Sequence, residues 1–456
     1  MKMNNPIFIG GASLVEEDNS LIDCYNYLKN EKVLSIDIET TRKFYKYENE
    51  GLDPYTTKIV MFQIGTIDRQ YVIDTRVVDI SILFPLLIDP SIMIVGHNLK
   101  FEYKHIAHTY GIKINNLYDT MLVEQILFNG LQHEKARIIQ TDGKFKNYDG
   151  NSLEDLIYRY CEVAVFKGTR LEFLDIKDKP YTETQINYGA DDIMYPLIIR
   201  DIQLLDVEEK EVQKTLDLEF IYLPVLGDME LNGMYFSKER WTEAYDENLP
   251  IFQKAKDELN NYIIEHYRST DFVNRQLDLF ATGFKCNISW TSPKQVIKFF
   301  RHLNICTQEV SKSTHKLEYT VNAKVVRASM LADFKDVDES IKVFMRKYLS
   351  FKEAEQSVTT FGIKWFKYVN PITGRAHSNY RQIVRTGRSS SSAPNLQNIP
   401  SKDSFRRAFN CAPGWKIVNA DYGGQETLVL AEKSREPNII KLINEGGDMH
   451  KQKLCM

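Results

Sequence analysis

One strand-like segment constrains the fold of this chain most strongly, because it alternates apolar and acidic residues. Within residues 32–40, positions 34, 36 and 38 are apolar and fall on one face of a strand, whereas Asp37 and Glu39 fall on the other. Two neighbouring carboxylates repel each other, which leaves two interpretations. The strand either exposes an acidic face to solvent, or it forms part of a site for Mg²⁺, which prefers carboxylate oxygens.

Two later segments supply further acidic residues. Residues 96–102 follow an apolar run, so we expect Asn98 to cap a helix whose first turn carries Glu102. Farther along, Tyr188 and Asp192 are four residues apart, which places them on one face of a helix. Together, the three segments favour the metal site over the solvated strand.

These segments resemble the Exo I, Exo II and Exo III motifs of the DEDDy 3'-5' exonucleases, the proofreading domain of family A DNA polymerases. The resemblance implies a ribonuclease H-like fold and two bound metal ions, Mg²⁺ or Mn²⁺. It also implies which residues hold the metals, namely Asp37, Glu39, Glu102 and Asp192. Tyr188 would orient the attacking water, as two-metal phosphodiester hydrolysis requires.

One position departs from the family pattern, because Glu102 stands where the family carries Asp. The additional methylene displaces the carboxylate, so the resemblance implies either a backbone adjustment or a slower site that favours Mn²⁺. Asp191 would be a substitute ligand if the helix register differed from the predicted one. Beside the site, Asn98 and Phe101 would contact the single-stranded end of the DNA, with Phe101 stacking on a base.

Three histidines offer an alternative metal site. His97, His105 and His108 lie close together, and the last two are three residues apart on a predicted helix. No nearby cysteine or HExxH pattern completes a zinc site, so the carboxylates are the favoured ligands. The 6 cysteines show no CxxC spacing, which argues against a zinc ribbon and a disulfide framework.

A second group of functional candidates begins at Thr386. Residues 386–400 read TGRSSSSAPNLQNIP, which as a pattern alone could be a polar surface loop. Arg and Gln side chains can, however, donate to the minor-groove acceptors that all base pairs share. The string closely resembles the TGR...PNLQNIP segment of family A DNA polymerases. That resemblance implies contacts to primer-template DNA from Thr386, Arg388, Gln397 and Asn398.

The segment that follows resembles polymerase motif A. A strand-like run at residues 415–420 leads into Asp421, and the sequence reads DYGGQE where the family has DYSQIE. The resemblance implies that Asp421 binds catalytic metal, that the Tyr422 carbonyl is a further ligand, and that Glu426 excludes a ribose 2'-hydroxyl. It also places further residues beside the incoming triphosphate: Arg406 or Arg407, and His450.

Length and composition agree with this organisation. A chain of 456 residues with 43% hydrophobic residues can form about three domains. We predict an α/β exonuclease domain at 1–205, a mostly helical thumb-like region at 206–370, and the beginning of a polymerase palm at 371–456. The balance of 58 Lys and Arg against 62 Asp and Glu argues against a polybasic protein but allows a local basic groove. The sequence shows no signal-peptide h-region and no membrane-length apolar run, which predicts a cytoplasmic protein without a membrane partner, in host cytoplasm if the gene is a phage gene.

The sequence therefore predicts the amino-terminal part of a family A DNA polymerase that binds single-stranded 3' ends and primer-template DNA. The fingers and the remaining palm are expected on a separate C-terminal polypeptide, and the absence of a 5'-nuclease domain resembles phage members. Two alternatives stay open. The chain could be a freestanding 3'-5' exonuclease with a DNA-gripping polymerase remnant, or an inactive DNA-binding assembly subunit, which Asp37 and Asp192 argue against and Glu102 leaves possible.

Overall fold

A computed structural model describes residues 12–42, 49, 51–129, 131, 137–139, 145–147, 150–165, 169–278, 281–311, 316–332, 338–400 and 403–447. The chain divides between Phe409 and Asn410 into two compact units. The predicted nucleotide-binding residue His450 lies outside the described residues. The domain boundaries predicted at 205 and 370 stay a prediction, although one continuous helix spans the first of them.

The amino-terminal part of the first unit is an α/β structure. Its main sheet contains β1 (Ala12–Val15), β2 (Val33–Arg42), β3 (Thr57–Gly65), β4 (Gln70–Asp74), β5 (Met93–Gly96) and β6 (Leu117–Asp119). A separate hairpin is formed by β7 (Arg137–Ile139) and β8 (Phe145–Asn147). The helices are α1 (Asp18–Leu28), α2 (Phe84–Ile88), α3 (Lys100–Tyr110), α4 (Thr120–Leu127), α5 (Leu153–Cys161), α6 (Arg170–Phe173) and α7 (Glu183–Glu209), with a 3-10 turn at Ile80–Leu83.

The sheet has the strand order β1-β4-β3-β2-β5-β6, in which β2 pairs antiparallel with β3 and parallel with β5. Its apolar side confirms the predicted period of two, because Leu34, Ile36 and Ile38 are at most 3% exposed and pack with α1 and α3. On the opposite side, α7 packs through Ala190 against residues of β3 and β4. The result is a sheet covered by helices on both faces.

The remainder of the first unit is mostly helical. It contains α8 (Gln213–Asn232), α9 (Lys238–His266), α10 (Pro293–His302), α11 (Ala323–Ala332), α12 (Glu339–Thr359) and α13 (Asp403–Arg406), with 3-10 turns at Ile363–Tyr368 and Leu396–Asn398. Short strands lie between them: β9 (Met234–Phe236), β10 (Val273–Asp278), β11 (Ala281–Cys286), β12 (Gln308–Val310), β13 (Leu317–Tyr319), β14 (Arg375–Ala376), β15 (Asn379–Arg381) and β16 (Ser390–Ser392). The long helices predicted near 241–267 and 338–361 are confirmed as α9 and α12, which pack around an aromatic core that includes Phe299, Phe344 and Tyr348. None of the helices in the described ranges is long and apolar enough to cross a membrane.

The second unit corrects one prediction. After β17 (Phe409–Asn410), which lies at the division, it contains α14 (Gln425–Ser434) and α15 (Pro437–Asn444). The strand predicted at 415–420 is wrong, because these residues adopt no regular secondary structure. Trp415 is 75% exposed and Val418 is 88% exposed. A strand needs a neighbour to take up its backbone hydrogen bonds, and no described strand pairs with this segment.

Close packing of α3 against α8 leads to a stability prediction. Gly227 of α8 faces the buried ring of Tyr103, and a Cβ built on Gly227 would lie 2.5 Å from Tyr103 Cδ1. We expect Gly227→Ala to lower the free energy of unfolding by about 1–3 kcal/mol, because an additional methyl in a close-packed contact forces the backbone or the ring to move. Chemical denaturation measures the change. Gly283→Ala is the matched control, since nothing lies within 4 Å of its added Cβ, and an equal loss in both variants would contradict the packing argument.

Candidate active site

The first pair of acids lies where the main sheet opens. The pairing of β2 with β5 covers Val33 to Ser35 only, so Asp37 and Glu39 extend past the end of β5. On the other side of β2, Asp37 pairs with Gln63 and Glu39 with Met61. Glu39 is only 7% exposed. The interpretation as a solvated acidic edge strand is therefore wrong, because β2 lies inside the sheet and Glu39 is buried.

Helix α7 adds the acid and the tyrosine that the sequence places one turn apart. Ligand oxygens of Asp37, Glu39 and Asp192 all lie within 4.8 Å of one another. Tyr188 hydrogen-bonds with Asp192, and burial together with the nearby acids Asp192, Glu39 and Asp37 raises the pKa of Tyr188 above its usual value. The Tyr188 hydroxyl therefore stays protonated near neutral pH and can donate a hydrogen bond.

Glu102 reaches the same group from the first turn of α3. Its side chain is 3% exposed and contacts Asp37, and its Oε2 has no hydrogen-bond partner. Burial, followed by the negative charge of Asp37, raises the pKa of Glu102 well above its usual value. A buried carboxylate oxygen without a donor is costly, and a cation beside Asp37 would satisfy it. The longer side chain is thus accommodated next to the acidic cluster.

Asn98 corrects a second prediction. Helix α3 begins at Lys100 with Leu99 as its N-cap, and Asn98 has a left-handed backbone with φ of 65°. The Asp119 carboxylate holds the residues just before the helix, because its two oxygens accept the N–H groups of Asn98 and Leu99, each at 2.9 Å. A charged acceptor at a helix N-terminus is a stronger partner than an amide. The predicted cap is wrong because α3 begins only at Lys100, after a left-handed Asn98 that is bound by Asp119 at the end of β6.

A cavity of about 640 Å³ surrounds these groups. The predicted exonuclease residues all line it, including Asn98 and Phe101. Apolar walls that sequence reasoning missed come from Leu52, Leu171 and Leu174. Leu52 lies on a loop, and Leu171 and Leu174 lie in or next to the short helix α6, far along the chain from both Leu52 and the acids of β2, so no local spacing signalled them. Among the described residues, the cavity combines an acidic end with an apolar surface.

The alternative ligands do not belong to the acidic group, although His97 lines the same cavity. His105 is buried with both ring nitrogens in hydrogen bonds, to Phe101 O and to Thr57 Oγ1. His97 Nδ1 lies 3.0 Å from Thr120 Oγ1, and the ring of His108 packs 4.3 Å from that of Tyr55. The histidines thus take part in separate contacts. Asp191 does not line the cavity, because adjacent residues of a helix point in different directions and Asp192 is the one that faces it. Burial and the charge of Asp192 raise the pKa of Asp191 to about 6.

The predicted DNA-contacting segment forms an ordered hairpin. Strand β15 pairs with β16, and the turn between them includes Gly387, whose φ of 74° favours glycine. Gln397 folds back on β16: its Oε1 accepts the N–H of Ser391 at 3.2 Å, and its own N–H donates to Ser391 Oγ at 3.2 Å. The predicted DNA-contacting side chains are all exposed: Thr386, Arg388, Gln397 and Asn398. The segment therefore presents polar side chains from a fixed backbone.

The predicted nucleotide-binding residues fall in both units. Arg406 and Arg407 are exposed in the first unit, and Arg407 Nη2 lies 3.8 Å from Glu247 Oε1. In the second unit, Asp421, Tyr422 and Glu426 are exposed, with Glu426 in the first turn of α14. Their roles stay predictions.

Two family models match the chain. The model described as 3'-5' exonuclease matches residues 13–207, and the model described as DNA polymerase family A matches residues 259–454. DNA polymerase I of Chloroflexus aurantiacus is 26% identical over 458 residues, which cover 96% of this chain and 43% of that protein. The thermostable DNA polymerase I of Thermus thermophilus is 40% identical over 113 residues, which cover 24% of this chain and 14% of that protein. The chain spans less than half the length of either relative.

A solved structure shows the same fold. The polymerase domain of Pol1 from M. smegmatis, in complex with DNA primer-template and dNTP, matches with a TM-score of 0.68 and 19% identity over 96% of this chain and 66% of that chain. The covered sheet and its acidic cavity define a ribonuclease H-like nuclease domain, which a polymerase-type helical region follows. Residues 259–454 match family A of the DNA polymerases, and residues 13–207 match the 3'-5' exonuclease family. The predicted family and fold class are thereby confirmed.

Proposed function

We propose that residues 12–209 form a metal-dependent exonuclease that removes nucleotides from single-stranded 3' ends of DNA. The observation that carries the proposal is the convergence of three carboxylates within 4.8 Å of one another, beside a buried fourth, in one cavity. The match to the 3'-5' exonuclease family supports the direction of cleavage. The DNA in the complex of the structural relative supports the substrate class.

The acids fit divalent cations. Carboxylates this close repel one another unless a cation lies between them, and Mg²⁺ and Mn²⁺ prefer oxygen ligands. The buried, unpartnered Oε2 of Glu102 offers a further ligand beside Asp37. We assign two ions, Mg²⁺ or Mn²⁺, to the four carboxylates. When bound, such ions neutralise charge on the scissile phosphate and lower the pKa of a bound water.

Other side chains in the cavity would place the substrate. Tyr188 keeps its hydroxyl proton and can hold the attacking water by a hydrogen bond. Phe101 lines the cavity and offers a ring face for base stacking, while Asn98 offers an amide to the terminal nucleotide. Leu52, which is 49% exposed, extends the apolar wall toward solvent. These residues orient the 3' end toward the acids.

The test is hydrolysis of a 5'-labelled single-stranded oligonucleotide by the purified chain. With Mg²⁺ or Mn²⁺ we expect a ladder of products that shorten from the 3' end, and none with a chelator present. A substrate whose terminal linkage is a phosphorothioate is the matched control for 3' directionality. Internal cuts, or intact substrate with either metal and a well-folded chain, would contradict the proposal, and the second outcome would favour the inactive assembly subunit.

The length of Glu102 leads to a prediction about metal preference. Because the additional methylene changes the reach of the carboxylate, we expect Glu102→Asp to raise the Mg²⁺-dependent rate by about threefold to tenfold, on the order of 1 kcal/mol of transition-state stabilisation. The rate in Mn²⁺ should change less, since that ion accepts more varied geometry. Single-turnover rates in each metal measure both effects. Asp191→Asn is the control. An unchanged metal preference in Glu102→Asp, or full activity in Glu102→Ala, would remove Glu102 from the ligand set.

We further propose that the match to DNA polymerase family A reflects a contribution to DNA synthesis. The exposed hairpin would contact primer-template DNA through Thr386, Arg388, Gln397 and Asn398. The motif A residues Asp421, Tyr422 and Glu426 would serve the metal and nucleotide sites. Arg406 or Arg407, and His450, would lie beside the incoming triphosphate. The support is the match over residues 259–454, and the test is the Asp421 experiment described in the Discussion.

An exposed apolar surface on the second unit suggests that DNA synthesis requires a partner polypeptide. Trp415, Val418 and Tyr422 are between 75% and 88% exposed, and large side chains clustered at such exposure mark a surface that binds another protein. Because strand-forming residues lie there without a paired strand, we propose that the occupant is a C-terminal polymerase polypeptide that carries the fingers and the remaining palm strands. Its strands would pair with residues 415–420 and cover these side chains.

A further inference from the structure

A second group of buried charges joins the exonuclease domain to the polymerase-type region. At its centre is Glu230 of α8, which is 3% exposed. Its Oε1 lies 2.5 Å from Lys100 Nζ and accepts the N–H of Tyr380 at 2.7 Å, and its Oε2 lies 2.6 Å from Lys104 Nζ. Lys100 Nζ also donates to the backbone oxygen of Tyr380. One carboxylate therefore connects α3, α8 and β15.

The burial of these groups makes the connection strong. The Lys100 and Lys104 side chains are each 13% exposed, and that of Glu230 is 2% exposed. Removing one partner from a buried ion pair is strongly destabilising, because the other charge stays out of water without compensation. Here two ammonium groups depend on a single carboxylate. Replacing Glu230 by a neutral side chain would leave both ammonium groups buried between α3, α8 and β15 without a compensating charge.

The placement of the two lysines links this group to the active site. Lys100 and Lys104 are four residues apart and share one face of α3. Glu102 lies between them in the sequence and contacts Asp37 instead. A rotation or shift of α3 that releases the lysines from Glu230 must therefore move the Glu102 carboxylate relative to Asp37. On the other side, Tyr380 pairs with Ser391, the residue that holds Gln397.

We propose that Glu230 is a positioning residue of the exonuclease site, which holds α3 against β15 so that Glu102 stays at the distance from Asp37 that metal binding requires. The inference rests on the proposed exonuclease function. It assigns Glu230 no contact with substrate. The hairpin of β15 and β16, which is proposed to contact DNA, would then also help to hold Glu102 in place.

Glu230→Gln tests the proposal, because it keeps the shape of the side chain and removes its charge. Residues that support metal ligands from outside typically change metal affinity or activity by about 10- to 100-fold, and we expect Mn²⁺ binding, followed by electron paramagnetic resonance, to weaken by about tenfold in this variant. Asp228→Asn is the matched control. It removes a carboxylate of α8 that also contacts α3, since Asp228 accepts a hydrogen bond from Tyr103 OH at 3.0 Å. Asp228 contacts neither Lys100 nor Lys104.

The outcomes separate this inference from the proposed function. If the unmodified chain binds Mn²⁺ and cleaves DNA while Glu230→Gln binds Mn²⁺ equally well, the positioning role is wrong and the exonuclease stands. If the chain binds Mn²⁺ but does not cleave, a binding defect confined to Glu230→Gln still supports the positioning role. A chain that neither binds Mn²⁺ nor cleaves overturns both.

Lys104→Met is a milder variant for the case in which Glu230→Gln does not fold. It leaves the pair of Glu230 with Lys100 in place, so we expect Mn²⁺ binding to weaken by only about twofold to threefold, below the usual range for such residues. Unchanged Mn²⁺ binding in a folded Lys104→Met chain would then overturn the proposal. The same binding measurement on Asp228→Asn gives the reference for general disturbance of the contact between α3 and α8.

Discussion

Replacing Asp37 and Glu39 together by alanine is expected to reduce metal-dependent hydrolysis of single-stranded DNA by a factor of about 10⁴ or more, equivalent to above roughly 5 kcal/mol of transition-state stabilisation. These residues supply two of the three carboxylates whose oxygens lie within 4.8 Å of one another. Without these ligands no metal is held to neutralise charge on the phosphate or to activate the attacking water. The measurement is the single-turnover rate on the labelled oligonucleotide.

The stability of the same variant provides its control. Acids that repel one another in a buried site destabilise the folded chain, so their removal should leave the free energy of unfolding unchanged or higher. Loss of activity with retained stability identifies a functional role, because a structural role would lower both. Residual hydrolysis within tenfold of the unmodified chain would show that these acids do not form the site, and attention would then move to Asp191 and its surroundings.

The second large effect concerns Asp421. In a mixture of this chain with a polypeptide that carries the fingers and the remaining palm, Asp421→Ala should reduce nucleotide incorporation on a primed template by about 10³-fold or more, because charge neutralisation supplies most of the catalysis in phosphoryl transfer. The chain by itself should incorporate no nucleotide, since Asp421 is exposed and no described strand pairs with residues 415–420 before it. Incorporation is measured for the chain, the added polypeptide and the mixture.

Two comparisons make the Asp421 experiment specific. Glu432→Gln removes an exposed acid from α14 of the same unit, where Glu432 pairs with Arg435, and should leave incorporation unchanged. Asp421→Ala should leave 3'-5' hydrolysis unchanged, because the exonuclease acids belong to the other unit. Incorporation by the chain alone would contradict the partner proposal. A well-folded mixture without incorporation would favour the freestanding exonuclease.

The sequence by itself determined the parts of this protein that depend on local spacing. Alternation along β2 places Asp37 and Glu39 on one side of a strand whatever surrounds it, and a separation of four residues places Tyr188 and Asp192 on one helix face. The turns at Gly387 and at Leu396–Asn398 likewise agree with the turn-rich composition of residues 386–400. These features need only backbone geometry, so the acidic group and the family were both accessible from the sequence.

Tertiary structure decided what depends on a partner distant in the chain. Asn98 does not cap α3, because the Asp119 carboxylate at the end of β6 binds the N–H groups of Asn98 and Leu99 and the helix begins only at Lys100. Glu230 carried no signal of its role, because its lysine and backbone partners come from helices and strands that only the fold brings together. Residues 415–420 have the composition of a strand but remain irregular, since a strand forms only where a neighbour accepts its hydrogen bonds. Local pattern sets which way a side chain points, and only the assembled fold supplies the groups that it meets.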